Sequence, residues 1–212
     1  MDINERIEQA FEAFHEGDEQ EAEQLFASLQ KEVTPEHQDY NQYLSALGYY
    51  HTLKLNLEQA VHVYQELLDR AETPEDQYEA IHELGIVSRM DSEFEAAKHY
   101  FSQEEDLINR HFPDEQLLKF INCYEVGYVY MQEGKYDEAA TKLNDALKLA
   151  GDEGDESGVG SVHRALGELS AAQGQEQQSK AHFKLAKENF KIAGDDISIE
   201  EIEMLESIIF EV

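Results

Sequence analysis

The sequence predicts an all-α fold, a stack of about five helix hairpins closed by a C-terminal helix, and two observations carry that expectation. Proline is nearly absent, occurring only at Pro35, Pro74 and Pro113, while Ala, Glu, Gln and Leu recur throughout, the usage of helices rather than strands. One spacing also repeats five times: a small residue, a second small residue twelve positions later, and a large apolar residue four positions after that. With 41% apolar and 10% aromatic residues over 212 positions, the chain can bury a core, which argues against disorder.

The elements follow in chain order. The first hairpin, over about 1–33, carries Ala10, Ala22 and Phe26 and turns at His15-Glu16-Gly17-Asp18. The second, 36–71, carries Gly48, Ala60 and Tyr64 and turns at Leu55-Asn56. The third, 75–110, carries Gly85, Ala97 and Phe101 with Asp91-Ser92 at its turn. The fourth, 114–150, carries Gly127, Ala139 and Leu143 and turns at Glu133-Gly134-Lys135. The fifth, 157–194, carries Gly167, Ser179 and Phe183 with a turn at Gln173-Gly174-Gln175, so the hairpins fill 1–197. Within each copy the offsets never vary, whereas the stretch from each large residue to the next small one runs 22, 21, 26 and 24 residues. Two helices in fixed register tolerate no insertion, but a surface connection between units does, so the repeating unit is the hairpin.

Connections between hairpins carry helix punctuation. Thr34-Pro35-Glu36, Thr73-Pro74-Glu75 and Phe112-Pro113-Asp114 place proline in an expected first helical turn after a cap, and each is read as a helix start. The run Gly151-Asp152-Glu153-Gly154-Asp155-Glu156-Ser157-Gly158 lacks the ligand spacing of a calcium loop and is read as a flexible loop. Ser198-Ile199-Glu200-Glu201 reads as a capping box opening a final helix over 198–212, a cover for the open end of the stack.

These residues resemble the tetratricopeptide repeat (TPR) family, whose pattern has Leu-Gly, an aromatic residue, then Ala and a three-residue gap to Phe. Leu47-Gly48, Leu84-Gly85 and Leu166-Gly167 match it, as do Ala97 to Phe101 and the turn Gly134-Lys135-Tyr136-Asp137-Glu138-Ala139. The likeness covers about residues 1–195; Trp and the closing Pro are missing, and the glycines recur every 37 to 42 residues, longer than the usual repeat. That spacing resembles the long-repeat subclass of bacterial peptide-sensing regulators and kinesin light chains. The resemblance implies a right-handed α-solenoid that binds a partner protein or an extended peptide on its concave surface.

The 47 acidic residues against 16 Lys and Arg give a net charge of −31, which disfavours nucleic acid and anionic membrane as partners. A basic partner is allowed but not required, and either a monomer or a homodimer is compatible. The acidic opening Met1-Asp2-Ile3-Asn4-Glu5 and the lack of a long apolar run predict neither a secretory signal nor a membrane span, hence a cytoplasmic location. Nine histidines make no recognised metal motif, there is no phosphate loop or nucleophile elbow, and Cys123 sits in an apolar run as a buried thiol. No enzyme activity, metal or cofactor is therefore expected.

Groove residues follow from helix geometry: a position next to the packing glycine is turned about 100° from it, and its neighbours three and four away share its face. This projection selects Tyr49, with Ser45 and Thr52, then His82 and Arg89 with Ile86, then Tyr124, Tyr128 and Met131, and last Arg164 and Glu168. Tyr, Met and Arg are favoured in recognition surfaces, and Arg89 and Arg164 are expected to receive a peptide carboxylate. TPR domains that hold the acidic tails of heat-shock chaperones use a Lys and Asn clamp on inner helices; the matching positions here hold Tyr, Ser, His and Ile, so that clamp is absent. The competing readings are a receptor for a short signalling peptide and a non-catalytic co-regulator of a signalling enzyme.

Overall fold

A computed structural model describes residues 2–210, and all regular structure among them is helical. In order the helices are α1 (Ile3–His15), α2 (Glu19–Glu32), α3 (Tyr40–Leu53), α4 (Leu57–Asp69), α5 (Pro74–Met90), α6 (Phe94–His111), α7 (Gln116–Gln132), α8 (Tyr136–Glu153), α9 (Glu156–Ala172), α10 (Glu176–Ala193) and α11 (Asp196–Phe210). The chain forms two compact units, Met1–Tyr100 and Phe101–Val212. Among the described residues no helix is long and apolar enough to cross a membrane.

The twelve-residue offset has a structural cause in the turns. The amides of Asp18, Asn56, Glu93, Lys135 and Gln175 each donate to the carbonyl five residues earlier, on Ala13, His51, Ser88, Tyr130 and Ser170. This is the six-to-one bond of a Schellman turn, and it requires one left-handed residue. Gly17, Gly134 and Gly174 supply it with φ of 87°, 80° and 72°, while Leu55 and Ser92 adopt it at 56° and 61° despite their side chains. The same five residues begin the next helix, their carbonyls accepting from Ala22, Ala60, Ala97, Ala139 and Ser179. An insertion anywhere in this stretch would break the bond, so the spacing is fixed.

In the first unit, α1 and α2 bury Ile7, Ala10 and Ala13 against Ala22, Phe26 and Leu29, with Tyr43 and Tyr50 of α3 closing the cluster. A second cluster joins Leu44 of α3, Tyr64 and Leu67 of α4, and Ala80, Leu84 and Val87 of α5. Gly48 is where α3 and α4 approach: a Cβ there would meet the Tyr64 ring at 2.5 Å. In the second unit a Cβ on Gly167 of α9 would meet the Phe183 ring of α10 at 2.6 Å. Here Leu143, Ala146 and Ala150 of α8 pack with Val162, Ala165 and Leu169 of α9, and Ile202 of α11 covers Phe183 and Phe190 of α10.

Three local expectations are corrected. Of the proline segments, Thr73-Pro74 does open a helix, with Thr73 and Asp76 forming a reciprocal capping box. The other two do not: residues 34–39 form turns before α3, and α7 starts at Gln116 beyond Pro113. The 151–158 run is not a long loop, because α8 continues to Glu153, Gly154 ends it at φ 71°, and the Asp155 carboxylate caps α9 by accepting from the Gly158 amide. The final helix opens on Asp195 rather than Ser198, since the Asp195 carboxylate accepts from both the Ser198 amide and hydroxyl.

Candidate functional site

In the first unit α3, α4 and α5 enclose a concavity of ≈ 500 Å³. Asn41, Gln42, Ser45, Ala46 and Tyr49 repeat at helical spacing along α3, while Asp76, Glu79 and Glu83 do so along α5; Ile7 and the buried Tyr64 and Leu67 complete the lining. Tyr49 is 47% exposed, and its ring rests on Phe11 at a centroid distance of 5.5 Å. The Ser45 hydroxyl donates to the Glu79 carboxylate, tying the two walls together. Burial, then the neighbouring Glu83 charge, push the Tyr64 phenol far above its ordinary range, so it stays neutral. Among the described residues three carboxylates and no Lys, Arg or His line this space, which makes it a field for positive charge.

The second unit carries a ladder along α7. Phe120, Tyr124 and Tyr128 stand one turn apart, with ring centroids separated by 6.0 and 5.1 Å. The Tyr128 hydroxyl donates to Glu168 at 3.2 Å, the Arg164 Nε donates to the same oxygen at 3.2 Å, and Arg164 Nη1 donates to Glu201 of α11 at 2.7 Å. Burial pushes the Tyr124 phenol up to about 12 and the Tyr128 phenol further. Burial also raises the Glu168 carboxyl, against the pull of Arg164. Against its burial, the Arg164 guanidinium is held charged by the Glu168 and Glu201 carboxylates.

No family model matches the chain, and no curated protein does. Solved structures do. A putative kinesin light chain of Podosopora anserina with nearly identical TPR-like repeats is 17% identical over 91% of this chain and 96% of that one, with a TM-score of 0.69. A Rap protein complexed with competence and sporulation factor is 13% identical over 99% of this chain and 72% of that one, at 0.66. NprR in complex with its cognate peptide NprX is 12% identical over 99% and 67%, at 0.54. The fold is that of the TPR-like repeat proteins.

Within that fold the projected residues divide. Tyr49 and Ser45 line the first unit's concavity, but Thr52 turns inward and donates to the Gly48 carbonyl. His82 stacks on Tyr78 at 5.7 Å and, with Arg89, lies outside the concavity; the α5 wall is built instead by Glu83, one residue and about 100° round the helix from His82, and by Asp76 and Glu79 on the same face as Glu83. The projection missed Asp76, Glu79 and Glu83 because acids are so frequent that none stands out. In the second unit Tyr124, Tyr128, Arg164 and Glu168 do come together, while Tyr124, Tyr128 and Met131 also pack half-buried on the core. Arg164 is already met by two carboxylates, so it is not an open receiver for a peptide carboxylate, contrary to the expectation from sequence.

Buried polar groups elsewhere also escaped the sequence. Asn122, 2% exposed, donates to the Phe101 carbonyl at 2.8 Å and to the Glu104 carboxylate at 3.0 Å inside the second unit. Burial raises the Cys123 thiol, the state of an unreactive cysteine. Among the described residues no group of three or more His, Cys, Asp or Glu is placed to hold a metal ion.

Proposed function

We propose that this chain is a non-catalytic, cytoplasmic TPR-like module that binds a partner protein or an extended peptide on the faces of its first helices. The carrying observation is the concavity of the first unit, where an exposed Tyr49 and hydrogen-bonding Asn41 and Gln42 face Asp76, Glu79 and Glu83. Tyr supplies a rigid apolar surface with a polar tip, and carboxylates in a walled space select Lys or Arg side chains, so the favoured occupant is a basic segment. His82 and Arg89 extend the surface in the first unit; Tyr124, Tyr128, Met131, Arg164 and Glu168 form the corresponding one in the second.

A second reading, a receptor for a short signalling peptide, is favoured by the likeness to the structure of NprR in complex with its cognate peptide and to that of a Rap protein complexed with competence and sporulation factor. Both readings share the surface and differ in the length of the occupant. Selection from a displayed random-peptide library tests them together. Enrichment of basic sequences that lose binding to Tyr49→Ala and to Glu79→Lys/Glu83→Lys supports the surface, and ligands indifferent to these changes refute it.

A further inference from the structure

The last helix of the second unit is apolar on two sides. On one, Ile202, Leu205 and Ile209 of α11 pack on Phe183 and Phe190 of α10 and close the stack. On the other, Ile197, Met204 and Ile208 are 73%, 60% and 74% exposed, and spacings of seven and four residues place them on one stripe. Single exposed apolar residues are ordinary, but among the described residues three of the nine large exposed ones fall on this stripe, which marks an interaction surface. A helix that only capped the stack would need one apolar side.

Charge decides what fits there. Asp196–Phe210 holds five carboxylates and no Lys, Arg or His. At about 100° per residue, Glu200 and Glu201 fall on either side of the stripe between Ile197 and Met204. Glu201 is tied to Arg164 at 2.7 Å, but Glu168 shares that guanidinium, so the surround of the stripe stays net negative. The covered side of α11 shows which neighbour such a helix accepts. Besides its two Phe rings, α10 meets it with two ammonium groups: Lys187 donates to Glu206 at 2.6 Å, and Lys180 lies 4.6 Å over the Phe210 ring centroid. Four of the chain's 16 Lys and Arg residues are on α10. A second copy of α11 would instead bring five more carboxylates against the first, an arrangement that like charge opposes.

We propose that the exposed face of α11 docks one amphipathic helix of a partner protein, with its apolar side on Ile197, Met204 and Ile208 and its flanking Lys or Arg residues on Glu200 and Glu201. This surface shares no residue with the concavity of the first unit, and it takes a helix rather than an extended segment. The probe is a fluorescein-labelled synthetic helix of about 18 residues with Leu at helical spacing and Lys elsewhere, compared with a counterpart that has Glu in place of Lys. In fluorescence anisotropy the Leu and Lys helix binds the whole chain saturably and more weakly as salt rises, and the Leu and Glu helix binds about tenfold more weakly or worse. Met204→Gln and Ile208→Gln each weaken binding about tenfold, the effect of one large side chain no longer buried in the complex. Neither lowers the thermal midpoint of the free chain, where both side chains are exposed. Tyr49→Ala and Glu79→Lys/Glu83→Lys leave the binding in place. Binding that the α11 changes spare overturns the proposal; if the concavity changes abolish it instead, the probe sits there, and the α11 assignment falls while the concavity reading stands. Equal binding of the two helices, or a wild type that binds neither, overturns it as well. So does a homodimer of the free chain that Ile208→Gln dissociates, because a second copy then takes the face.

Discussion

Gly48→Ala asks whether the hairpin register rests on the absence of a side chain. A Cβ at position 48 would stand 2.5, 2.6 and 2.9 Å from three carbons of the Tyr64 ring, against an optimum of about 3.5–4.0 Å for carbon pairs. Tyr64 is 1% exposed and packed between α3 and α4, so the helices must separate or the ring must leave its rotamer. Overpacking of this kind costs about 1–3 kcal/mol, while Gly to Ala in a helix interior contributes about 1 kcal/mol the other way. The expected net effect is a loss of up to about 2 kcal/mol in urea unfolding followed by circular dichroism. Gly151→Ala in α8, where a Cβ would meet nothing within 4 Å, is the matched control and gains up to about 1 kcal/mol. In a double-mutant cycle Tyr64→Ala costs less in the Gly48→Ala background than alone, with a coupling above about 0.5 kcal/mol. If Gly48→Ala matches the control in sign, the close-approach account of the repeat is wrong.

Three further outcomes follow from the same geometry. Leu55→Gly relieves a left-handed residue that costs about 1–2 kcal/mol, less about 0.5–1 kcal/mol of chain entropy, so denaturant unfolding gives a stability equal to or up to about 1.5 kcal/mol above wild type, whereas Gly174→Ala loses about 1 kcal/mol. His163 and His182 face each other with Nδ1 atoms 3.2 Å apart, and burial lowers both imidazoles. Below the ordinary histidine value the unfolded chain then binds more protons than the folded one, so thermal midpoints are flat above about pH 6.5 and fall below it, and His182→Gln weakens that fall. Asn122→Ala deletes two hydrogen bonds from a buried site, one of them to a carboxylate, and loses about 2–4 kcal/mol in the same unfolding assay.

What the sequence made legible was whatever local geometry repeats. The twelve-residue offset encodes a helix end, one left-handed residue and a helix start, so it survives even where Leu55 and Ser92 replace glycine. Non-repeating punctuation was less readable. Pro35 and Pro113 look like Pro74, yet only Thr73 has Asp76 three residues on to complete a capping box. Gly154 and Asp155 belong to two helix ends that meet without a loop, a juxtaposition that composition alone reads as flexibility. The site was half visible: Tyr49 stood out as an aromatic beside a packing glycine, but the three acids opposite it were lost in a background of 47.

Backbone amide shifts of the chain titrated with a library-selected basic peptide test the central claim most directly. The account predicts perturbations concentrated at Ser45, Tyr49, Asp76, Glu79 and Glu83, weakening as salt rises. Perturbations confined to the exposed Ile197, Met204 and Ile208 of α11, with none along α3 and α5, contradict it.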